Sequence, residues 1–233
     1  MLGNTPFRHE LKYYITAQQA VMLSMHMPCI LQPDPHAGAD GKYNIRSLYF
    51  DDYGDTCLRQ NEAGTDPRQK YRIRIYNHSA ERIRLELKRK VRGMTQKLSC
   101  PLTRPQCEQL MRGEPLPMEE LADAPELLQR FCAEMRSRLL QPKVIVEYDR
   151  IPYIWPVGNV RITLDHNISS SPAADKFLDP DLPLRPVLQM GHQLLEVKFD
   201  ELLPDTIYRG LQLRDLQRTS FSKYYLCRTY KLY

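Results

Sequence analysis

The chain has 233 residues, of which 42% are hydrophobic and 26% are charged. This composition supplies enough apolar material for a packed core and excludes a largely disordered chain. Lysine and arginine number 33 against 28 aspartate and glutamate residues, a net charge of +5, which is below the strong positive bias typical of nucleic-acid-binding domains.

The sequence contains no evident linker or targeting segment. Its length suits one domain spanning residues 1–233. The first residues lack the apolar core of a signal peptide, and no apolar run reaches the length that spans a bilayer. The six cysteines have neither Cys-x-x-Cys spacing nor a zinc-type pairing with histidine, which indicates reduced thiols. We therefore expect a globular, cytoplasmic protein without a transmembrane segment.

Short segments along nearly the whole chain alternate charged and apolar residues with a period of two, which is typical of β-strands with two different faces. The polar positions in these rows are, in chain order, Arg8, Glu10 and Lys12; Arg72 and Arg74; Arg82, Arg84, Glu86, Lys88 and Lys90; Glu147 and Asp149; Arg161, Thr163 and Asp165; and Glu196, Lys198 and Asp200. The positions between them are mostly aliphatic or aromatic. Each segment therefore predicts a strand with one charged face.

Helices are predicted before, between and after these strands. They cover residues 16–27, 103–112, 119–140 with a break near Pro125, 204–213 and 219–230. Pro105 falls in the first turn of the second helix, where proline is tolerated. The predicted fold class is α+β, with strands dominant.

A single strand of this kind usually places its charged face in water, as half-buried antiparallel sheets do. The set favours a closed barrel instead, because the charged faces contain few Ser, Thr or Gln residues and the helices could cover the apolar outer surface. Charged rows inside a barrel repel one another unless a polyanion and a metal ion are bound there. Arginine offers bidentate hydrogen bonds to phosphate, lysine offers a compact charge, and glutamate can hold a divalent cation. The sequence therefore predicts a site for a triphosphate or polyphosphate.

Eight short motifs add a resemblance to this interpretation. They are Arg8–Tyr13, Ile45–Asp51, Tyr71–Arg74, Leu85–Lys88, Val146–Arg150, Arg161–Asp165, Leu195–Lys198 and Ser222–Tyr224. In this order they resemble VTC domains, the polyphosphate polymerase domains of the triphosphate tunnel metalloenzyme (CYTH-like) superfamily. The resemblance implies an antiparallel eight-stranded tunnel β-barrel with a charged lumen and helices packed outside. It also implies an ATP:polyphosphate phosphotransferase that uses Mn²⁺ or Mg²⁺.

The resemblance further implies roles for individual residues. The catalytic group would be Arg72, Arg74, Lys88, Arg161 and Glu196. The substrate-binding group would be Lys12, Arg8, Arg150, Lys198 and Lys223. The metal-binding carboxylates would be Glu196, Glu86, Glu147 and Glu10. The first strand reads Arg8-x-Glu10-x-Lys12, whereas the related adenylate cyclase and thiamine triphosphatase branch has Glu-x-Glu-x-Lys, and this departure favours the polymerase-like branch.

Three functions remain open at this stage. The first is a polymerase that transfers the γ-phosphoryl group of ATP to inorganic polyphosphate, with a separately encoded membrane partner possible. The second is a metal-dependent triphosphatase, since water can replace the acceptor. The third is a non-catalytic polyphosphate-binding module, which would have no need of the metal carboxylate Glu196. No nucleic-acid partner is expected.

Overall fold

The computed structural model describes residues 5–230. All its strands belong to one antiparallel sheet. The strands are β1 (His9–Thr16), β2 (Gln32–Pro33), β3 (Tyr43–Asp51), β4 (Arg68–Tyr76), β5 (Ser79–Val91), β6 (Met94–Leu102), β7 (Gln141–Trp155), β8 (Val160–Ser171), β9 (Arg185–Pro186) and β10 (His192–Phe199). The α-helices are α1 (Ala17–Ile30), α2 (Thr56–Glu62), α3 (Arg104–Met111), α4 (Met118–Leu121), α5 (Glu126–Arg138), α6 (Asp205–Gly210) and α7 (Lys223–Thr229).

Eight long strands curl into a tunnel. They follow the order β1-β10-β8-β7-β3-β4-β5-β6, and the short strands β2 and β9 pair with β7 and β8. The two ends of this path meet where the backbones of Arg8 and Thr95 exchange two hydrogen bonds, each of 2.9 Å. This arrangement confirms the predicted antiparallel tunnel fold of the α+β class.

The outward-facing positions of the strands form two apolar clusters beneath helices. The first joins β4, β5 and β6 to α3 and α5, and Ile73, Leu85 and Phe131 within it are fully buried. The second joins β1, β8 and β10 to α1 and α6. Burying one large aliphatic or aromatic side chain contributes about 1.5–3 kcal/mol relative to leaving it exposed. The helices therefore hold the sheet in its curled form from outside.

Local sequence signals set where several helices begin. Thr16 and Thr103 each form a capping box with the glutamine three residues later, at the start of α1 and α3. The predicted break near Pro125 separates α4 from α5. The C-terminal helix begins at Lys223, later than predicted, because the Ser222 hydroxyl accepts a hydrogen bond from the Tyr225 backbone amide and caps it there. Helix α2 was not predicted.

Helix α7 differs from the predicted arrangement because it packs against the inner side of the sheet. Its residues Tyr224 and Cys227 share a buried cluster with Val144, Val146 and Tyr148 of β7. Tyr148 also lines the central cavity, so this row of β7 faces inward. One end of the lumen is therefore filled by an apolar plug that carries Lys223 into the charged interior.

Two further sequence predictions concern cysteines and membrane spans. All six cysteines are free thiols, and five of them are buried. Between residues 5 and 230, no helix combines the length and the apolar character needed to cross a membrane.

Candidate active site

The barrel encloses a cavity of about 530 Å³. Its charged lining residues are Glu10, Lys12, Arg68, Lys70, Arg72, Arg74, Lys88, Lys90, Arg150, Glu196, Lys198, Arg218 and Lys223. Only Glu10 and Glu196 among these are acidic. The cavity therefore has strong positive potential and brings together most of the residues predicted for the site.

The inward row of β4 places Arg72 and Arg74 side by side. Arg72 pairs with Glu86 at 2.7 Å and donates a hydrogen bond of 2.8 Å to the Tyr49 hydroxyl. Arg74 lies 3.6 Å from the same carboxylate. Burial alone would raise the pKa of Glu86, but Arg74, Arg72 and Lys97 hold it well below its usual value. The carboxylate therefore stays charged and fixes the planes of both guanidinium groups.

A second group surrounds Glu10 on β1. The ammonium groups of Lys88 and Lys12 lie 2.8 Å and 3.1 Å from its carboxylate. Burial lowers the pKa of Lys88 to about 8, against the opposing effect of Glu10. The pKa of Glu10 lies well below its usual value because the attraction of Lys88 and Lys12 outweighs the effect of burial.

A third group is centred on Glu196 of β10. Its carboxylate contacts Lys223 at 2.8 Å, Lys198 at 2.9 Å and Arg150 at 3.2 Å. Asp165 shares two of these cations, since both Arg150 and Lys223 lie 2.6 Å from it. Burial opposes the charge of Lys223, but Asp165 and Glu196 raise its pKa above the usual value. These contacts tie α7 to β7, β8 and β10 inside the lumen.

Two of the predicted site arginines lie away from this cavity. Arg8 donates to the backbone oxygen of Asn159 and pairs with Asp200 at 2.8 Å. Arg161 donates to the Tyr43 hydroxyl and pairs with Asp34, each at 2.7 Å. Neither arginine is among the residues that line the cavity.

The prediction that Glu147 lies in an inward row is wrong. Glu147 is on the outer face of β7, where it binds Arg46 and accepts a contact of 2.8 Å from His78. Arg46 also donates to the backbone oxygens of Phe177 and Asp179. Alternation along β7 places Tyr148 and Arg150 inside, so Glu147 must point outward.

Several lining residues were not predicted from the sequence. Arg68 and Lys70 continue the alternating row of Arg72 and Arg74, so the period-two pattern contained the signal for both. The hydroxyls of Tyr49 and Tyr148 lie against Arg72 and Arg74, at 2.8 Å and 3.4 Å. A tyrosine that alternates with aliphatic residues is as consistent with apolar packing as with hydrogen bonding inside the cavity. The hydrogen bonds of these hydroxyls could therefore not be inferred from the sequence. Arg218 lies in a loop without any periodic pattern.

The donors available for a divalent cation are the carboxylates of Glu10 and Glu196. Both approach the Lys12 ammonium, at 3.1 Å and 3.8 Å, so they flank one point of the cavity. Among the described residues there is no group of three or more His, Cys, Asp or Glu side chains arranged to hold a metal. Mg²⁺ is commonly held by one or two carboxylates together with substrate phosphates. Glu10 and Glu196 could therefore share a cation with a bound phosphate chain, whereas Glu86 does not line the cavity.

Comparison with known proteins gives a family and a fold. The family model described as VTC domain matches residues 7–231. A search of curated proteins finds no match. Among solved structures, a proposed adenylate cyclase from Bacillus halodurans has a TM-score of 0.56 and 13% identity, covering 94% of this chain and 96% of that one. A conserved hypothetical protein from Pyrococcus furiosus has a TM-score of 0.46 and 8% identity, covering 90% and 94%. The likeness to the Bacillus protein supports the tunnel fold alone.

Proposed function

The chain belongs to the VTC domain family, and from the chemistry of its cavity we propose that it transfers the γ-phosphoryl group of ATP to a growing inorganic polyphosphate chain. The observation that carries this proposal is the predominance of lysine and arginine over carboxylates in an enclosed cavity of about 530 Å³. An elongated, multiply charged anion supplies the negative charge that such a lining lacks.

Phosphoryl transfer requires in-line positioning and positive charge near the equatorial oxygens of the transferred group. Arg72 and Arg74 supply this charge in a fixed orientation, because Glu86, Tyr49 and Ser47 already hold their guanidinium groups. Lys88, Lys12 and Lys198 line the remaining wall and bind further phosphate oxygens. These groups are preorganised, so they need little rearrangement as charge develops in the transition state.

The acceptor is a phosphate oxygen that is already anionic, so the reaction needs no dedicated general base. Glu196 keeps Lys223, Lys198 and Arg150 at defined positions around the bound polyphosphate. We propose that Glu196 and Glu10 also hold a Mn²⁺ or Mg²⁺ ion together with the substrate phosphates. When bound, this cation would neutralise phosphate charge and orient the triphosphate.

The proposal is tested by incubating the purified protein with ATP and Mn²⁺ and separating the products by size on a gel stained for polyphosphate. Wild type is expected to give a ladder of long chains, and Arg72→Ala and Glu196→Ala are expected to give none. Arg104→Ala is the matched control, because Arg104 is exposed and pairs with Glu108 on the surface of α3. It is expected to match wild type.

Other products would identify the alternative functions. Free phosphate without chains would show a triphosphatase in which water is the acceptor. Binding of polyphosphate without any loss of ATP, under both Mn²⁺ and Mg²⁺, would show a non-catalytic binding module. Either result would overturn the polymerase proposal.

A further inference from the structure

Lys70 occupies an unusual position on the cavity wall. It lies in the inward row of β4, between Arg68 and Arg72. Its ammonium donates to the Asn61 side-chain oxygen at 2.6 Å and to the Ser222 hydroxyl at 3.3 Å. It also lies 4.8 Å above the centre of the Tyr224 ring. The ammonium is thus held by neutral groups from α2 and from the start of α7.

Four other inward lysines have acidic partners. Lys12 and Lys88 pair with Glu10, while Lys198 and Lys223 pair with Glu196. Lys70 forms no ion pair with any carboxylate in the described part of the chain. A lysine has three donor hydrogens, of which Asn61 and Ser222 take two. The third remains for a ligand in the cavity that all three residues line.

The charges around Lys70 are mainly positive. Lys88 is its direct neighbour across β4 and β5, Lys12 approaches from β1, and Arg68 lies on the same strand. Burial, together with repulsion from these three cations, lowers the pKa of Lys70 to about 7, against an opposing effect of the Cys57 thiol from α2. The ammonium form therefore needs a counter-charge that the protein does not provide.

We propose that Lys70, Asn61 and Ser222 form a separate phosphate subsite. It binds a phosphate group of the polyphosphate chain other than the one held by Arg72 and Arg74. Lys70 takes up a proton from solvent when this phosphate group binds. This subsite rests on the proposed binding of a phosphate chain in the cavity. Two residues along a strand correspond to about 7 Å, so the same chain can contact Arg72 and Lys70. The neutral amine accepts one proton, and the resulting ammonium pairs with a phosphate oxygen.

The subsite makes the affinity for polyphosphate decrease as the pH rises. A bound phosphate favours the charged form of Lys70, so binding is coupled to proton uptake wherever the free amine is partly neutral. Affinity is therefore expected to fall as the pH rises from about 7 to about 9. An arginine at this position stays charged throughout this range and removes the coupling.

Isothermal titration calorimetry with inorganic tripolyphosphate tests the subsite without ATP turnover. The titration is made at pH 7.8 in two buffers with different enthalpies of ionisation, which gives the number of protons taken up on binding. Wild type is expected to take up at least about 0.5 proton more than Lys70→Arg. Protonation of tripolyphosphate itself is common to both proteins and cancels in the comparison.

Asn61→Asp provides a second, nearly isosteric test that keeps Lys70. The new carboxylate supplies the missing counter-charge, so proton uptake is expected to disappear and the affinity to fall about 10-fold. Lys176→Met is the control, since Lys176 is exposed on the surface, and it should bind as wild type does. Thermal unfolding of each variant establishes that it is folded.

The outcomes separate the subsite from the proposed function. If wild type binds tripolyphosphate while Lys70→Arg takes up as many protons and Asn61→Asp binds as tightly, the subsite is wrong and the phosphate cavity stands. If folded wild type does not bind tripolyphosphate, both proposals are overturned.

Discussion

Arg72 and Arg74 combine positive charge with a fixed direction. Arg72 is held by Glu86 on one side and by the Tyr49 hydroxyl on the other. A guanidinium in this setting offers parallel donors to a phosphate, whereas an ammonium offers a point charge. We therefore ascribe the binding of the transferred phosphate to geometry as well as to charge.

Arg72→Lys separates these two contributions. The variant keeps the charge and loses the bidentate geometry, so its affinity for tripolyphosphate is expected to fall about 10-fold or more. Calorimetric titration measures this change, and the exposed Arg104→Lys serves as the control. Equal affinity in Arg72→Lys and wild type would mean that charge alone holds the ligand.

The lowered pKa of Glu196 predicts that the protein loses stability in acid. Burial would raise its pKa, but Lys198, Lys223 and Lys12 hold it well below the usual value. A carboxylate of this kind stabilises the folded state fully above its unfolded pKa of about 4.3, and the stabilisation is lost as the pH falls through the lower folded pKa.

Glu196→Gln removes this contribution, leaves Lys198 without its carboxylate partner, and leaves Arg150 and Lys223 with Asp165 alone. At pH 7 its unfolding free energy is expected to be about 3 kcal/mol below that of wild type. The difference in unfolding free energy should begin to narrow as the pH falls below about 4.3, and it should narrow further as the wild-type carboxylate takes up its proton. Urea unfolding at several pH values measures this difference in unfolding free energy. Glu119→Gln is the control, because Glu119 is exposed. A gap that stayed constant with pH would contradict this electrostatic explanation.

At the level of single residues, the sequence predicted the inward rows well wherever alternation was unbroken. Arg72, Lys88 and Glu196 line or border the lumen for this reason. Glu147 and Arg150 were both expected inside, although alternation along a strand places an odd and an even position on opposite faces. The contacts that hold Arg161 at Asp34 join residues distant in the chain, which no local pattern reveals.

A buried hydrogen bond helps to anchor helix α7 at its base. The Tyr224 hydroxyl donates to Asp51 at 2.5 Å, and the same carboxylate accepts hydrogen bonds from the backbone amides of Cys57 and Leu58 at the start of α2. Asp51 is fully buried. It therefore joins β3, α2 and α7 at the inner end of the cavity.

Tyr224→Phe is expected to lower the unfolding free energy by about 2 kcal/mol, because it leaves a buried carboxylate oxygen without its hydroxyl partner. Chemical denaturation measures the change. Tyr225→Phe is the matched control, since its hydroxyl makes a longer, exposed contact of 3.3 Å with Glu62, and it should change stability by less than about 0.5 kcal/mol. Similar losses in both variants would argue against a special role for Asp51.

At the level of elements, the helical segments predicted from the sequence match α1, α3, α4 and α5 closely, and the predicted break at Pro125 separates the last two. Helix α2 is short and follows its strand after only a few residues, so it offered no extended apolar pattern. Apolar residues suit the inside of a barrel end as well as its outside. The inward position of α7 therefore became evident only from its contacts with β7.

Across the whole molecule, charge is distributed unevenly despite a modest net value of +5. Basic side chains are concentrated in an enclosed lumen, where solvent screens them less than at the surface. The alternating pattern predicted this concentration, because helices on the apolar faces left only the lumen for the charged ones. Closure through Arg8 and Thr95 could not be predicted, since a single bridge has no sequence signature.

The central claim is that this lumen binds one elongated phosphate chain. Its most direct measurement is calorimetric titration of wild type and Arg74→Ala with inorganic tripolyphosphate and with monophosphate, at fixed ionic strength. We expect one tripolyphosphate per protein, binding about 100-fold tighter than monophosphate and greatly weakened in Arg74→Ala. Equal affinity for the two anions, or binding unaffected by Arg74→Ala, would contradict the claim that the cavity recognises a phosphate chain.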